Sequence, residues 1–310
     1  MNKCPITYEI LEEGKYSKNG LKLLSKGLKE LHDFPYSSHE QLVLADQFSN
    51  KISIQGVQPK LSLALNQKKG VFEVVESGGR FILKPPHALY KELPQNEDLT
   101  MKMAQLVGIE IPMHGMIYNK DGSLSYFISR FDRLPKGKKL PVEDFSQLLG
   151  YGRETKYASS MEKIAAGIDM HCTFPLQEKI KLFTRVIFSF LVGNEDMHLK
   201  NFSILIRDQK VTLSPAYDLL NTTIVTQSGE EIALPIRGKK SNLTRFDLIE
   251  YFGKERLGLT DAVIQSELSK FQKAYQFWRQ LLNNSFLSPA FQKTYWSLVE
   301  SRYERLGIDR

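Results

Sequence analysis

The hydrophobic pattern shifts from strand-like to helix-like after Asp132, and that change constrains the fold more than any other feature. Between residues 51 and 130 apolar and polar residues alternate, as in Leu61–Asn66, which is typical of strands with one buried face. Further along, apolar residues recur at helical spacing, and near the end they step by three and four: Leu268, Phe271, Tyr275, Trp278 and Leu282. We predict an α+β protein with a small β-rich lobe, residues 1–132, and a larger helical lobe, residues 133–310. The crevice between them is the default ligand site.

Composition indicates a soluble globular protein. The hydrophobic share of 42% is enough for a sizeable core, and the excess of 42 Lys and Arg over 35 Asp and Glu fits acidic partners or an ordinary basic surface. Cys4 and Cys172 are too few for a disulfide framework or a four-cysteine zinc site, which indicates a reducing compartment. The most apolar run, residues 182–192, is shorter than the about 20 residues that span a bilayer. We predict a cytoplasmic location and no membrane association.

A dense polar segment follows the most apolar helix. The helix predicted over residues 177–192 leads into a loop with Asp196 and Asn201, and a β-hairpin is predicted over residues 202–214. Because a hairpin returns to its starting point, we expect Asp218, which follows it, to lie beside Asp196 and Asn201. Carboxylate and amide oxygens are ligands that Mg²⁺ accepts together with phosphate oxygens.

The spacing of Asp196 and Asn201 is D-x-x-x-x-N, the spacing of the protein-kinase catalytic loop. In kinases the Asp accepts the proton of the substrate hydroxyl and the Asn holds Mg²⁺. Asp218, which follows the hairpin, takes the place of the metal-binding Asp that comes after this loop in kinases. The alternative is that Asp196 is a turn residue after the helix and Asp218 a cap.

Upstream residues supply candidates for phosphate binding. The segment Ser53–Lys60 precedes the first alternating strand, and Gly56 in it would let backbone N–H groups approach an anion, although an ordinary turn also fits. Lys84 ends a short strand, where a kinase lysine contacts phosphates. Glu97 lies in the first turn of a helix with Asn96 as its predicted N-cap, and it could pair with Lys84.

These residues lie in segments that occur in the following order: SIQGVQPKLSLAL, FILKPP, LPQNEDLTMKMAQLVGIEIP, YFISRFDR, LPVEDFSQLLG, GNEDMHLKNFSIL and LSPAYDLL. Together they resemble the HipA-like serine/threonine kinases, the toxin components of bacterial toxin–antitoxin systems. The match runs from about Lys51 to the C-terminus. We expect the chain to lack the N-terminal subdomain of full-length HipA, and in this it resembles the short HipT type.

The resemblance implies a bilobal protein-kinase-like fold with ATP and Mg²⁺ as cofactors. Asp196 would be the catalytic base, Asn201 and Asp218 would bind Mg²⁺, and Lys84 would contact the nucleotide phosphates. The loop that covers the phosphates would consist of Gln55, Gly56, Val57, Gln58, Pro59 and Lys60. The other residues near the nucleotide would be His198, Leu199, Lys200, Asn201 and Tyr217.

The resemblance also implies a hinge and a regulatory site. The main chain of Ser129, Arg130 and Phe131 would hold adenine, and because the family usually has Glu at the position of Ser129, pairing would depend on the backbone. Ser53 occupies the position of the regulatory autophosphorylation serine, whose modification displaces the phosphate-binding loop.

Substrate and partners follow from the same resemblance. The substrate would be an aminoacyl-tRNA synthetase, whose phosphorylation arrests translation. A small protein would supply the missing N-terminal subdomain. A DNA-binding antitoxin would complete the complex, so that the chain contacts DNA only indirectly.

Two other functions fit the residues alone. Asp196, His198 and His171 could form a facial triad for iron chemistry. A catalytically silent module could instead bind nucleic acid through its basic surface. The candidate phosphate contacts for that function are Lys136, Lys138, Lys139, Lys239 and Lys240.

Overall fold

The structure is a computed structural model that describes residues 2–49, 58–87, 89–134, 137–152, 155–226 and 229–309. The chain divides into two compact units, and neither is one continuous segment. Unit 1 consists of Met1–Asp98, Pro112–Gly137 and Asn284–Leu287. Unit 2 consists of Leu99–Ile111, Lys138–Asn283 and Ser288–Arg310. The lobe boundary predicted between residues 132 and 133 stays a prediction.

Unit 1 is built around a five-stranded antiparallel sheet in the order β4-β3-β5-β7-β6. Its strands are β3 (Leu61–Asn66), β4 (Val71–Val74), β5 (Phe81–Lys84), β6 (His114–Tyr118) and β7 (Leu124–Ser129). The alternation that predicted β3 places Leu61 and Leu63 in the core, together with Phe72 and Phe127.

The N-terminal part of unit 1 covers this core. It contains a two-stranded ribbon, β1 (Asn2–Lys3) and β2 (Ile10–Leu11), and two helices, α1 (Lys18–Leu24) and α2 (Ser38–Ser49). Ser17 caps α1 by accepting a hydrogen bond from the Gly20 N–H. Gly20 is required there because a Cβ atom would lie 2.9 Å from the sulfur of Cys4.

Helix α3 (Leu93–Leu106) spans the division between the units, and its predicted start was wrong. The helix begins at Leu93, and Asn96 lies inside its first turn, where its N–H donates to the Glu92 carbonyl at 2.9 Å. Pro94 does not prevent this earlier start, because a proline in the first helical turn sacrifices no intrahelical hydrogen bond.

Unit 2 is mainly helical. Its helices are α4 (Phe145–Leu148), α5 (Met161–His171), α6 (Pro175–Val192), α7 (Thr223–Thr226), a π-helical segment (Phe246–Arg256), α8 (Asp261–Asn283) and α9 (Pro289–Leu306). A small antiparallel sheet in the order β10-β9-β8 joins them, with β8 at Val142–Asp144, β9 at Ser203–Arg207 and β10 at Lys210–Leu213.

The helical core of unit 2 follows the predicted spacing. All five residues of the predicted stripe on α8 are buried, and Trp278 packs edge to face against Phe271 and against Tyr303 of α9. The α+β class is therefore confirmed. Among the helices in the described ranges, none combines the length and the hydropathy of a membrane span.

Candidate catalytic site

Gly193 fixes the direction in which the chain leaves α6. Its φ is +75°, a left-handed conformation, and a Cβ atom would lie 2.8 Å or less from atoms of Leu298, Thr223 and Asn221. The chain therefore turns sharply at this point into the polar loop that follows the buried helix.

The loop after Gly193 buries most of its residues but exposes Asp196. Met197 and His198 are buried, whereas 44% of the Asp196 side chain is exposed. The amide nitrogen of Asn201 donates to the main-chain oxygen of Asp196 at 2.7 Å, which closes the D-x-x-x-x-N segment into a compact turn. Asp196 is thus held by its backbone while its carboxylate faces solvent.

The hairpin after this loop returns to it, as the sequence predicts. Asp208 and Gln209 form the tight turn with positive φ, and the N–H of Ser214 donates to the Ser203 carbonyl at 2.8 Å. The hydroxyl of Tyr217 hydrogen-bonds the Ser203 hydroxyl and donates to the Lys200 carbonyl at 2.9 Å. The segment that ends in Asp218 is therefore tied to the start of the hairpin.

His198 lies within electrostatic range of both predicted acidic site residues. Burial lowers the pKa of its imidazole, while the carboxylates of Asp196 and Asp218 raise that pKa and the ammonium of Lys156 lowers it. Leu199 is fully buried, and Lys200 is partly buried within the short 3₁₀ helix Leu199–Asn201.

Sequence reasoning missed two residues of this site, Lys156 and Tyr157. The hydroxyl of Tyr157 donates to Asp196 Oδ1 at 2.5 Å, and Lys156 Nζ lies 2.7 Å from His198 Nε2. The pair belongs to an irregular segment with no periodic pattern, and it reaches Asp196 from 39 residues away in sequence. No signal in the sequence points to it.

In unit 1 the predicted pairing of Lys84 with Glu97 is confirmed. The ammonium of Lys84, at the end of β5, lies 2.5 Å from Glu97 Oε1 in the first turns of α3. Both side chains are buried, and the ammonium also lies over the ring of Tyr126 at 5.6 Å.

The predicted hinge uses two of its backbone N–H groups within unit 1. The N–H of Ser129 donates to the Met113 carbonyl at 2.7 Å, and that of Arg130 to the Arg80 carbonyl at 2.8 Å. The N–H groups of Ser129 and Arg130 are therefore engaged within unit 1, and adenine binding by the main chain of Ser129, Arg130 and Phe131 stays a prediction.

The predicted phosphate-covering loop is described only in part. Gln58, Pro59 and Lys60 are partly buried residues directly before β3. Ser53, Gln55, Gly56 and Val57 lie outside the described residues.

The donor set fits Mg²⁺ better than iron. Asn201 uses its amide nitrogen toward Asp196, which leaves the amide oxygen for a cation, and Asp218 adds a carboxylate. Two hard oxygen ligands suit Mg²⁺, which keeps several waters and binds phosphate oxygens. Within the described ranges no group of three or more His, Cys, Asp or Glu could hold a metal, so the triad with His171 gains no support.

Two of the lysines considered for nucleic-acid binding are engaged with carboxylates. Lys239 Nζ lies 3.0 Å from Asp247 Oδ2, and Lys240 Nζ lies 3.3 Å from Glu230 Oε1. Lys138 and Lys139 are exposed, and Lys136 lies outside the described residues.

Comparison with known proteins identifies the family. Residues 52–279 match the HipA-like C-terminal domain, so the chain belongs to this family. The match covers both the strand-rich segment that contains Lys84 and the loop and hairpin that contain Asp196, Asn201 and Asp218.

Curated relatives carry kinase names. A Haemophilus influenzae protein named as a candidate kinase is 27% identical over 318 residues, 93% of this chain and 92% of the relative. A candidate kinase of Sinorhizobium fredii is 32% identical over 66% of this chain and 50% of its own length. The Shewanella oneidensis serine/threonine-protein kinase toxin HipA is 24% identical over 72% of this chain and 55% of its own length. The chain therefore spans nearly all of the first relative and about half of the other two.

Solved structures show the same fold. The Shewanella oneidensis toxin–antitoxin complex of HipA, HipB and operator DNA contains a chain that matches with a TM-score of 0.69 and 22% identity, over 92% of this chain and 75% of that one. The Helicobacter pylori proinflammatory kinase CtkA matches with a TM-score of 0.53 and 13% identity, over 73% of this chain and 86% of that one. The fold is protein-kinase-like, as the sequence predicts.

Proposed function

We propose that this chain is a Mg-ATP-dependent serine/threonine protein kinase. The observation that carries the proposal is the closed turn between Asp196 and Asn201, followed by a hairpin whose end is tied back to that turn through Tyr217. The turn holds the exposed Asp196 carboxylate on the same loop as Asn201, in a chain whose relatives are named as kinases. Asn201 and Asp218 would supply the oxygen ligands for a cation.

Asp196 is the proposed catalytic base. Its exposed carboxylate would accept the proton of a Ser or Thr hydroxyl while the hydroxyl oxygen bonds to the γ-phosphorus and the bond from that phosphorus to the ADP oxygen breaks. Asn201 and Asp218 would hold Mg²⁺. When bound, Mg²⁺ would neutralise charge on the phosphate groups.

The proposed nucleotide contacts follow from the family resemblance. Lys84 would contact the phosphates, the loop Gln55–Lys60 would cover them, and the main chain of 129–131 would hold adenine. The remaining nucleotide contacts would come from His198, Leu199, Lys200, Asn201 and Tyr217. The Glu97 carboxylate would hold the Lys84 ammonium in one position by the ion pair described above.

The biological role is proposed from the relatives. The Shewanella relative is named a kinase toxin, and its solved complex contains HipB and operator DNA. By analogy, we infer a cytoplasmic toxin that is held by a DNA-binding antitoxin and contacts DNA only through it. A small protein would supply an N-terminal subdomain, and an aminoacyl-tRNA synthetase would be the substrate.

Ser53 is proposed as an autophosphorylation site. A phosphate there would add a charge of about −1.5 to −2 next to the loop that covers the ATP phosphates, and repulsion would oppose nucleotide binding. Loss of ATP affinity in Ser53→Asp, with Ser53→Ala unaffected, would support this regulation; equal affinity in both variants would contradict it.

The deciding experiment is transfer of labelled phosphate. The purified chain is incubated with Mg-ATP and aminoacyl-tRNA synthetases, and phosphorylated residues are located by mass spectrometry. Asp196→Asn should reduce transfer roughly a hundredfold or more. Asp208→Asn is the matched control, since it makes the same change on the exposed hairpin turn of the same unit and should have no effect. No transfer by the unchanged chain would refute the proposal.

A further inference from the structure

The hydroxyl of Tyr157 donates a hydrogen bond to the Asp196 carboxylate. Among the described residues, no other side chain hydrogen-bonds this carboxylate. The donor–acceptor distance to Oδ1 is 2.5 Å, which lies at the lower end of the range for a hydroxyl that donates to a carboxylate. Burial and the adjacent Asp196 carboxylate both raise the pKa of Tyr157, so its hydroxyl keeps the proton that it donates.

Tyr157 is itself held on the loop from several directions. Its ring packs edge to face against His198 at a centroid distance of 5.1 Å, and Lys156 Nζ lies 4.9 Å from the centre of that ring. Lys156 is fixed as well. Its carbonyl accepts the Leu199 N–H at 3.3 Å, and its ammonium hydrogen-bonds His198 Nε2. The dipeptide Lys156–Tyr157 thus follows the loop from Asp196 to Leu199.

The two oxygens of the Asp196 carboxylate are therefore not equivalent. Oδ1 accepts the Tyr157 hydroxyl and lies 3.9 Å from His198 Nε2, whereas no hydrogen bond from the described residues reaches Oδ2. A terminal carboxylate torsion is soft, so without a partner the two oxygens would exchange readily. The bond from Tyr157 prevents that exchange and leaves Oδ2 as the open oxygen.

We propose that Tyr157 is a positioning residue that orients Asp196 so that Oδ2 accepts the proton of the substrate hydroxyl. This inference rests on the proposed kinase function. The effect is on geometry: a base acts well only when its accepting oxygen is held near the attacking hydroxyl, and small displacements are costly in rate.

Tyr157→Phe tests the inference because it removes the hydroxyl and keeps the ring that packs against His198. We expect kcat to fall roughly tenfold while KM for ATP stays within about twofold. Tyr151→Phe is the matched control, since Tyr151 is a partly buried tyrosine of the same unit whose hydroxyl accepts a bond from Lys163. It should leave both constants unchanged.

The direction in which kcat and KM change in Tyr157→Phe distinguishes the positioning role from the main alternative role of this hydroxyl. If the Tyr157 hydroxyl only occupied the place of the substrate hydroxyl, Tyr157→Phe would lower KM for the protein substrate or raise kcat. Either result, or an unchanged kcat, would overturn the positioning role.

A double-mutant cycle shows whether Tyr157 acts through Asp196. In an Asp196→Asn background the added Tyr157→Phe change should cost no further activity, whereas a separate structural effect would reduce the residual rate by the same factor as in the parent. An additive cycle would refute the inference alone. Absence of phosphate transfer in the unchanged chain would refute the proposed function instead, so the two failures are distinguishable.

Discussion

The ammonium of Lys84 and the carboxylate of Glu97 form an ion pair of 2.5 Å whose side chains are 4% and 2% exposed. The pair links the end of β5 to the beginning of α3. Because charges removed from water are costly, each of these groups depends on compensation inside the protein. The pair therefore has a structural role that can be measured separately from its proposed role in nucleotide binding.

We expect Glu97→Gln to destabilise the protein by about 3–5 kcal/mol, since it leaves the Lys84 charge buried beside a neutral amide. Urea denaturation measures the loss. Asp169→Asn removes the exposed partner of a pair with Lys179 and should cost no more than about 1 kcal/mol. Equal stability losses in the two variants would show that Lys84 and Glu97 do not depend on each other.

Lys84→Met should in addition abolish phosphate transfer.

Asp218→Asn isolates the charge of the proposed metal ligand from its backbone conformation. The φ of Asp218 is +55°, and Asn tolerates this left-handed region as well as Asp does, so the variant should fold normally. Loss of one anionic ligand should weaken Mg²⁺-dependent binding of a non-hydrolysable ATP analogue roughly tenfold. Calorimetry with and without Mg²⁺ provides the measurement, and unchanged Mg²⁺ dependence would remove Asp218 from the metal site.

Stability should depend on pH through His198. Burial, the largest effect, lowers the pKa of His198, and Lys156 acts in the same direction, whereas Asp196 and Asp218 oppose it. Above the unfolded-state pKa of about 6.5 the imidazole is neutral in both states, and its contribution is fully present. As the pH falls below that value, the unfolded chain takes up a proton that the folded chain does not, and stability is lost.

The measurement is the free energy of unfolding at pH 7.5 and pH 5.5. The parent should be less stable at pH 5.5 than at pH 7.5. His198→Gln should lack the part of this stability loss that comes from protonation of the imidazole in the unfolded chain. His39→Gln, at an exposed histidine, should keep the pH dependence of the parent. An identical pH dependence in the parent and His198→Gln would contradict the assignment.

Local patterns predicted the parts of the site that are continuous in sequence. The apolar helix α6, the loop after it and the hairpin follow from periodicity and turn residues, and the return of that hairpin to its start follows from geometry. The pairing of Lys84 with Glu97 was predictable because a strand end and the next helix start are short-range neighbours in the chain.

The features that the sequence did not predict depend on contacts between segments far apart in the chain, or on which of several groups forms a given hydrogen bond. Tyr157 belongs to an irregular segment and hydrogen-bonds Asp196, which lies 39 residues further along the chain. The side chain of Asn284, near the C-terminal end, donates to the carbonyl of Tyr8, near the N-terminal end, at 2.9 Å. Neither contact has a periodic signal. The hydrogen bond from the Ser129 N–H to the Met113 carbonyl could not be predicted either, because it depends on which strands pair in the sheet.

Tyr217→Phe tests whether the end of the hairpin positions Asp218. The hydroxyl of the partly buried Tyr217 bridges Ser203 and the Lys200 carbonyl, and its removal leaves that carbonyl without this donor, so we expect a stability loss of about 1–3 kcal/mol. Mg²⁺-dependent nucleotide binding should weaken as well, because Asp218 directly follows the freed residue. Tyr303→Phe is the matched control, since its buried hydroxyl donates to the Phe271 carbonyl at 3.0 Å between α9 and α8. It should reduce stability similarly without changing the Mg²⁺ requirement. If both variants change that requirement equally, the tie through Tyr217 contributes only to stability, and the position of Asp218 is fixed by other contacts.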